Sequence, residues 1–283
     1  MLKQIKQIKQ KQSKIVVFDM DETLGYFIEF SIFWESLNAY IKDQNIDYLL
    51  SQKDFNNILD LYPEFIRPNF TSVLNYIKHK KQSKSCDKVM IYTNNQGPKQ
   101  WIYYIKEYFE QKIKYKLFDN IISAFKVNGK HLELCRTTHD KTLKDFINCS
   151  KVSIENAQIC FLDDIYYPNM NYDNVYYIKV KPYVYNLSFD EIINRFVSSE
   201  ISKKILASDV SFFTDIKKYI EQYGFVCVKK NTREYDMDKL ITKKIMVHLQ
   251  NFFSVNNFNS NMKYKNNKSR KYRLIKNKTV KLR

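Results

Sequence analysis

The chain has 283 residues, 44% hydrophobic and 16% aromatic, enough to bury one large core or two. Its four glycines form no G-x-G-x-x-G or G-x-x-x-x-G-K loop, which excludes the two common Gly-rich phosphate cradles. The net charge of +17 sits at the ends: residues 1–14 and 263–283 together hold +15, leaving +2 for residues 15–262.

In chain order, residues 1–14 repeat Lys and Gln with a period near three and read as a basic, low-complexity lead. Ile15 to Phe18 is a short apolar run bounded by polar residues, a strand covered on both faces. Asp19 and Asp21 follow it directly, and buried carboxylates are costly unless something pairs with them. Gly25 relaxes the turn, and "YFIEFSIF" reads as a short aromatic flap. Residues 33–61 suggest two helices, and Arg67-Pro68 suggests the start of a third. Val89 to Tyr92 is a second strand, ending in Thr93, and "KQWIYYIKEYFEQKI" has helical apolar spacing. Asn128-Gly129, between alternating apolar residues, predicts a hairpin. "KTLKDFINC" is a helix, Ile159 to Leu162 a third strand ending in Asp163-Asp164, and "NVYYIKVKPY" a fourth. Residues 183–262 read as mostly helical, and 263–283 as a disordered cationic tail.

Strands alternating with helices predict an α/β fold with a parallel, Rossmann-like sheet, a domain over 15–182 and a helical extension over 183–262. Ligands of such sheets bind beyond the carboxyl ends of the strands. Three of those ends carry Asp19 and Asp21, Thr93, and Asp163 and Asp164, with Lys141 at a helix start between the second and third. Those side chains suit phosphoryl transfer: a nucleophile, an acid, a hydroxyl and a cation for phosphate oxygens, and carboxylates for Mg²⁺.

In that order, "DMDET", "IYTNN", Lys141 and "FLDD" resemble the four motifs of the haloacid dehalogenase (HAD) superfamily of phosphatases. "DMDETL" and "IRPNFTSVLNYI" are similar to the CTD-phosphatase-like branch, the FCP/SCP or NLI-interacting-factor-like phosphatases. The resemblance covers residues 14 to 182. It implies a HAD-like sheet with a small cap or none. Asp19 would be the nucleophile that forms an aspartyl-phosphate, and Asp21 the general acid and then base, its carbonyl facing the metal. Thr93, Asn94 and Lys141 would bind the phosphoryl oxygens, with Lys144 the competitor for the motif-three lysine. Mg²⁺ would be held by Asp19, Asp21, Asp163 and Asp164. The acid Asp21 should have a raised pKa.

The branch usually ends motif four with Asp-Asn, where this chain has Asp163-Asp164. Asn94-Asn95-Gln96-Gly97 resembles the second motif of polynucleotide 3′-phosphatases, whose first motif carries Gly where Glu22 stands here. The resemblance implies an open site and a large anionic substrate such as a phosphorylated protein, acted on at Ser or Thr. A polynucleotide 3′-end phosphatase, contacting nucleic acid through residues 263–283, is one alternative. A catalytically weak binding module is another. Arg136 and His139 sit on the loop before Lys141, within possible reach of an anion.

The five cysteines are odd in number and widely spaced, with no C-x-x-C pair, and are expected to be thiols in a reducing compartment. No apolar run would span a bilayer, and the N-terminus has no signal-peptide core. The expectation is an intracellular chain, cytoplasmic or nuclear, neither secreted nor membrane-bound.

Overall fold

Each apolar run read as a strand forms one in the computed structural model. The structure describes residues 12–206, 211–225, 227 and 230–254; the basic tail at 263–283 and most of the basic lead lie outside these. β1 (Ser13–Phe18), β2 (Lys88–Tyr92) and β3 (Asn120–Ile122) are followed by a separate hairpin of β4 (Lys126–Val127) and β5 (Lys130–His131). β6 (Ala157–Asp163) and β7 (Val175–Lys179) complete a five-stranded sheet of order β3-β2-β1-β6-β7. All four pairings are parallel. The fold is therefore α/β and Rossmann-like. β1 is the central strand, and the chain builds outward from it first one way and then the other. That makes its C-terminal end the switch point where ligands of such sheets bind.

Alternation along β1 divides the interior. Val16 and Phe18 point into a large core, and Ile15 and Val17 into a smaller one. The large face is covered by α1 (Ile28–Asp43), α2 (Gln52–Leu59), α3 (Phe70–Gln82) and α4 (Lys99–Ile113). The small face is covered by α5 (Leu143–Ser150), through Leu143 and Phe146. α6 (Phe189–Val197), α7 (Ser202–Ile205), α8 (Phe212–Glu221) and α9 (Thr232–Ser254) follow. Their buried residues, among them Ile192, Phe196, Ile216 and Leu249, join the large core. The helical extension thus shares its hydrophobic interior with the sheet.

The residues between β1 and β2 matter for access to the strand ends. Phe30 of α1 and Phe55 of α2 have ring centroids 5.1 Å apart, and Phe55 lies 5.4 Å from Trp101 of α4. Both helices are packed into the large core by these aromatics. The aromatic flap expected at "YFIEFSIF" is instead the first turns of α1, which begins at Ile28. Phe30 and Phe33 are fully buried, so helical spacing lets both rings reach the core.

The hairpin turns at Asn128 and Gly129, with φ of 47° and 78°, as a two-residue turn with left-handed residues requires. Among the described residues, no helix is long and apolar enough to cross a membrane. One expectation is corrected. Cys135 and Cys149 are joined by a disulfide, of which Cys86, Cys160 and Cys227 are not part. The chain after Cys135 folds back so that the end of α5 lies against it, a proximity that a spacing of 14 residues does not reveal.

Candidate active site

The loop after β1 is shaped by its own backbone and by one arginine. Asp19 N–H donates to Leu162 O, fixing the strand end against β6. Leu24 N–H returns to Met20 O, and Glu22, with φ 57°, takes the left-handed conformation in the turn. Gly25 is needed for close approach: a Cβ there would lie 2.4 Å from Phe65 O and 2.5 Å from the Phe27 ring. Arg67 is fully buried beneath the loop. Its Nε donates to Thr23 O, and its Nη2 to Glu22 O and Lys181 O. The R-P segment read as a helix start therefore supplies the clamp of the acidic loop, and α3 begins only at Phe70.

Four of the expected residues meet above the switch point. Lys141, 1% exposed, donates to Asp19 Oδ1 and to Asp163 Oδ2, each at 2.6 Å. The rings of Tyr92, Phe161 and Tyr167 surround its ammonium at 5.5 to 5.9 Å from their centroids. Burial would lower the Lys141 pKa, but the carboxylates of Asp19 and Asp163 more than reverse this and hold it above the usual lysine value. Lys144, the competing lysine, is exposed. Lys141 lies just before α5, whose first turn is capped by Thr142 Oγ1 accepting from Asp145 N–H.

Asp163 is occupied on both oxygens, since its Oδ1 accepts from Ile165 N–H at 2.8 Å. Asp164 is held more loosely: Thr23 Oγ1 lies 3.5 Å from its Oδ1 and 3.4 Å from Asp19 Oδ2, and its carboxyl also neighbours that of Asp19. Burial and the Asp19 charge raise the pKa of Asp164; burial also raises that of Asp163, against the pull of Lys141.

Carboxylate oxygens of Asp19, Asp163 and Asp164 lie within 4.8 Å of one another, all buried. One ammonium faces three carboxylates. Ionised together they leave two negative charges uncompensated in a low-dielectric site, which is strongly unfavourable. A divalent cation would balance them, and an all-oxygen carboxylate set suits Mg²⁺. The residues present therefore fit the metal.

Asp21 stands beside this cluster. Burial, then the charge of Asp19, pushes its carboxyl up to about 7, against a stabilising hydrogen bond from Asn95. A carboxyl so tuned can give up and retake a proton near neutrality.

Thr93 directly follows β2 and is fully buried, its Oγ1 accepting from Asn95 N–H at 3.0 Å. Asn94 turns toward the small face and donates to Tyr167 Oη at 3.0 Å. Its neighbour Asn95 is the one that reaches the acids, with Nδ2 at 2.9 Å from Asp21 Oδ2. The sequence places both asparagines after β2 but does not say which faces the acids, because a loop's rotation is not encoded in spacing.

Arg136 is 2% exposed and donates to four carbonyls, those of Thr93, Ser123, His139 and Asp140. It ties the loop after β2 to the Lys141 loop and has no exposed face to offer a substrate. His139 is exposed, its ring edge-on to Phe125 at 5.3 Å.

No family model matches the chain, and no curated protein matches it. Among solved structures, a mutant of CbbY from Rhodobacter sphaeroides in complex with xylulose-1,5-bisphosphate is similar to it. The match covers 53% of this chain and 77% of that one, at 12% identity and a TM-score of 0.25. A likeness that slight carries no argument about site or substrate.

Proposed function

We propose that the chain is a Mg²⁺-dependent phosphomonoester hydrolase of HAD type, working through an aspartyl-phosphate on Asp19. The observation that carries this reading is the convergence of Asp19, Lys141, Asp163 and Asp164 at the switch point of a parallel sheet, with Asp21 beside them. Asp19 attacks phosphorus. The bond to the leaving oxygen breaks, its electron pair stays on that oxygen, and Asp21 supplies the proton. Asp21 then takes a proton from the water that attacks the phosphorylated Asp19, releasing phosphate and restoring the carboxylate.

Lys141 uses two of its three N–H bonds on Asp19 and Asp163, so the third can meet a phosphoryl oxygen. The Thr93 hydroxyl accepts from Asn95, so its own proton is available to donate. Asn94, bonded to Tyr167, would have to turn to share that work. Mg²⁺, held by Asp19, Asp164 and the Asp21 carbonyl with Asp163 behind them, would neutralise charge between the carboxylates and the phosphoryl group.

The substrate we infer is a phosphorylated Ser or Thr in a protein segment, as in the CTD-phosphatase-like branch. α1 and α2, which could have formed a cap, are packed into the core by Phe30 and Phe55, and this favours a large substrate over an enclosed small one. The test is hydrolysis of p-nitrophenyl phosphate with and without Mg²⁺, by wild type and Asp19→Asn. Turnover that needs Mg²⁺ and falls at least roughly 10³-fold in the variant is the expected result. No turnover by folded wild-type protein, with no beryllofluoride binding, would favour the binding-module reading.

A further inference from the structure

Asn95 makes three hydrogen bonds that together fix one orientation of its side chain. Its backbone N–H donates to Thr93 Oγ1 at 3.0 Å, which sets the residue in the turn after β2. Its side-chain Oδ1 accepts from Gly97 N–H at 2.9 Å. With the oxygen held there, the amide cannot flip, and its donating end must point the other way. Nδ2 then lies 2.9 Å from Asp21 Oδ2, the side-chain hydrogen bond Asp21 makes among the described residues. Gly97 leaves the room this needs, since a Cβ at 97 would stand 3.0 Å from Asn95 Oδ1.

We propose that Asn95 is the positioning residue of the acid–base group: it occupies Asp21 Oδ2 as a donor and so confines the transferable proton to Oδ1. An amide N–H bonds much more strongly to a carboxyl oxygen that bears no proton than to the hydroxyl oxygen. Whichever protonation state Asp21 is in, Oδ2 is the acceptor. The same oxygen, Oδ1, therefore gives its proton to the leaving oxygen as the bond to phosphorus breaks, and takes one from the attacking water afterwards. This rests on the phosphatase reading above. It adds a role for a residue outside the cluster of Asp19, Lys141, Asp163 and Asp164.

The test compares leaving groups. p-Nitrophenolate departs without a proton, whereas an alkoxide does not, so a misplaced acid slows aspartyl-phosphate formation from alkyl phosphates alone, while the later attack of water is the same for both esters. kcat and KM are measured for wild type and Asn95→Ala on p-nitrophenyl phosphate and on 2-phenylethyl phosphate, at saturating Mg²⁺. The expected result is a loss in kcat/KM, which reports the steps through aspartyl-phosphate formation and not the later attack of water, of roughly 10- to 100-fold on the alkyl ester and within about threefold on the nitrophenyl ester. Equal losses in kcat/KM on both, or none on either, overturn the proposal while leaving the phosphatase reading intact. A wild type without turnover on either ester overturns both. Should Asn95→Ala fail to fold, Gly97→Ala displaces the Asn95 amide without touching Asp21. It should show the same selective loss, smaller in size, and an unselective loss there would equally overturn the proposal.

Discussion

Glu29, in the first turn of α1, is fully buried, and Asn186 Nδ2 donates to its Oε1 at 2.5 Å. Burial pushes its carboxyl from 4.5 up to about 7, against the pull of Asn186. The folded state therefore holds this proton more tightly than the unfolded chain does. Stability from Glu29 is complete below about pH 4.5 and is lost as the pH rises to about 7. Glu29→Gln removes the loss. By urea denaturation, the variant should exceed wild type by about 1 to 2 kcal/mol at pH 8, after allowance for nearby solvent, with the difference shrinking toward pH 4.5. At this scale, residue types at strand ends were legible, because a carboxylate behind an apolar run demands a partner. Which of Asn94 and Asn95 faces the acids was not, nor was the burial of Arg136, since both depend on how loops from distant strands meet.

Among elements, the central strands were legible because a strand buried on both faces must be apolar throughout, and β6 is buried at all seven positions. The start of α1 was not, because its N-cap is Phe27 and no side-chain cap marks where the loop ends and the helix begins. The Cys135–Cys149 bridge was missed for a related reason: it depends on α5 folding back over the Lys141 loop. Protein purified without reductant and then denatured should titrate three thiols rather than five. Reduction should lower stability by about 3 kcal/mol, as expected for closing a loop of this length. In the C-terminal helices, Phe252 of α9 is fully buried, with its ring 6.0 Å from Tyr176 of β7. Phe252→Ala should cost about 3 to 5 kcal/mol in chemical denaturation.

At the scale of the molecule, composition correctly allowed a large core but not its asymmetry, with nearly all the helices on one face of the sheet. Net charge was legible only as a distribution, and it leads to a test that separates two substrate classes. Deleting residues 263–283 should leave hydrolysis of a short phosphopeptide within about twofold at any salt concentration. A 3′-phosphorylated oligonucleotide held by those cations would instead lose affinity steeply as salt rises, and the deletion would flatten that slope.

Lys14, at the start of β1, donates from Nζ to Phe252 O at 2.7 Å, and its ammonium lies 5.2 Å from the Phe252 ring. The first strand and the last described helix are thus clasped together. A linker of about six residues, reaching roughly 20 Å, should join residue 254 to residue 12. New termini can be opened between Asn128 and Gly129, in an exposed turn where a Cβ on Gly129 would meet nothing within 4 Å. Such a circular permutant would carry Lys141, Asp163 and Asp164 ahead of Asp19, Asp21 and Thr93. It should still assemble the same cluster, because the order in which ribosomes deliver those side chains is incidental to the sheet that gathers them.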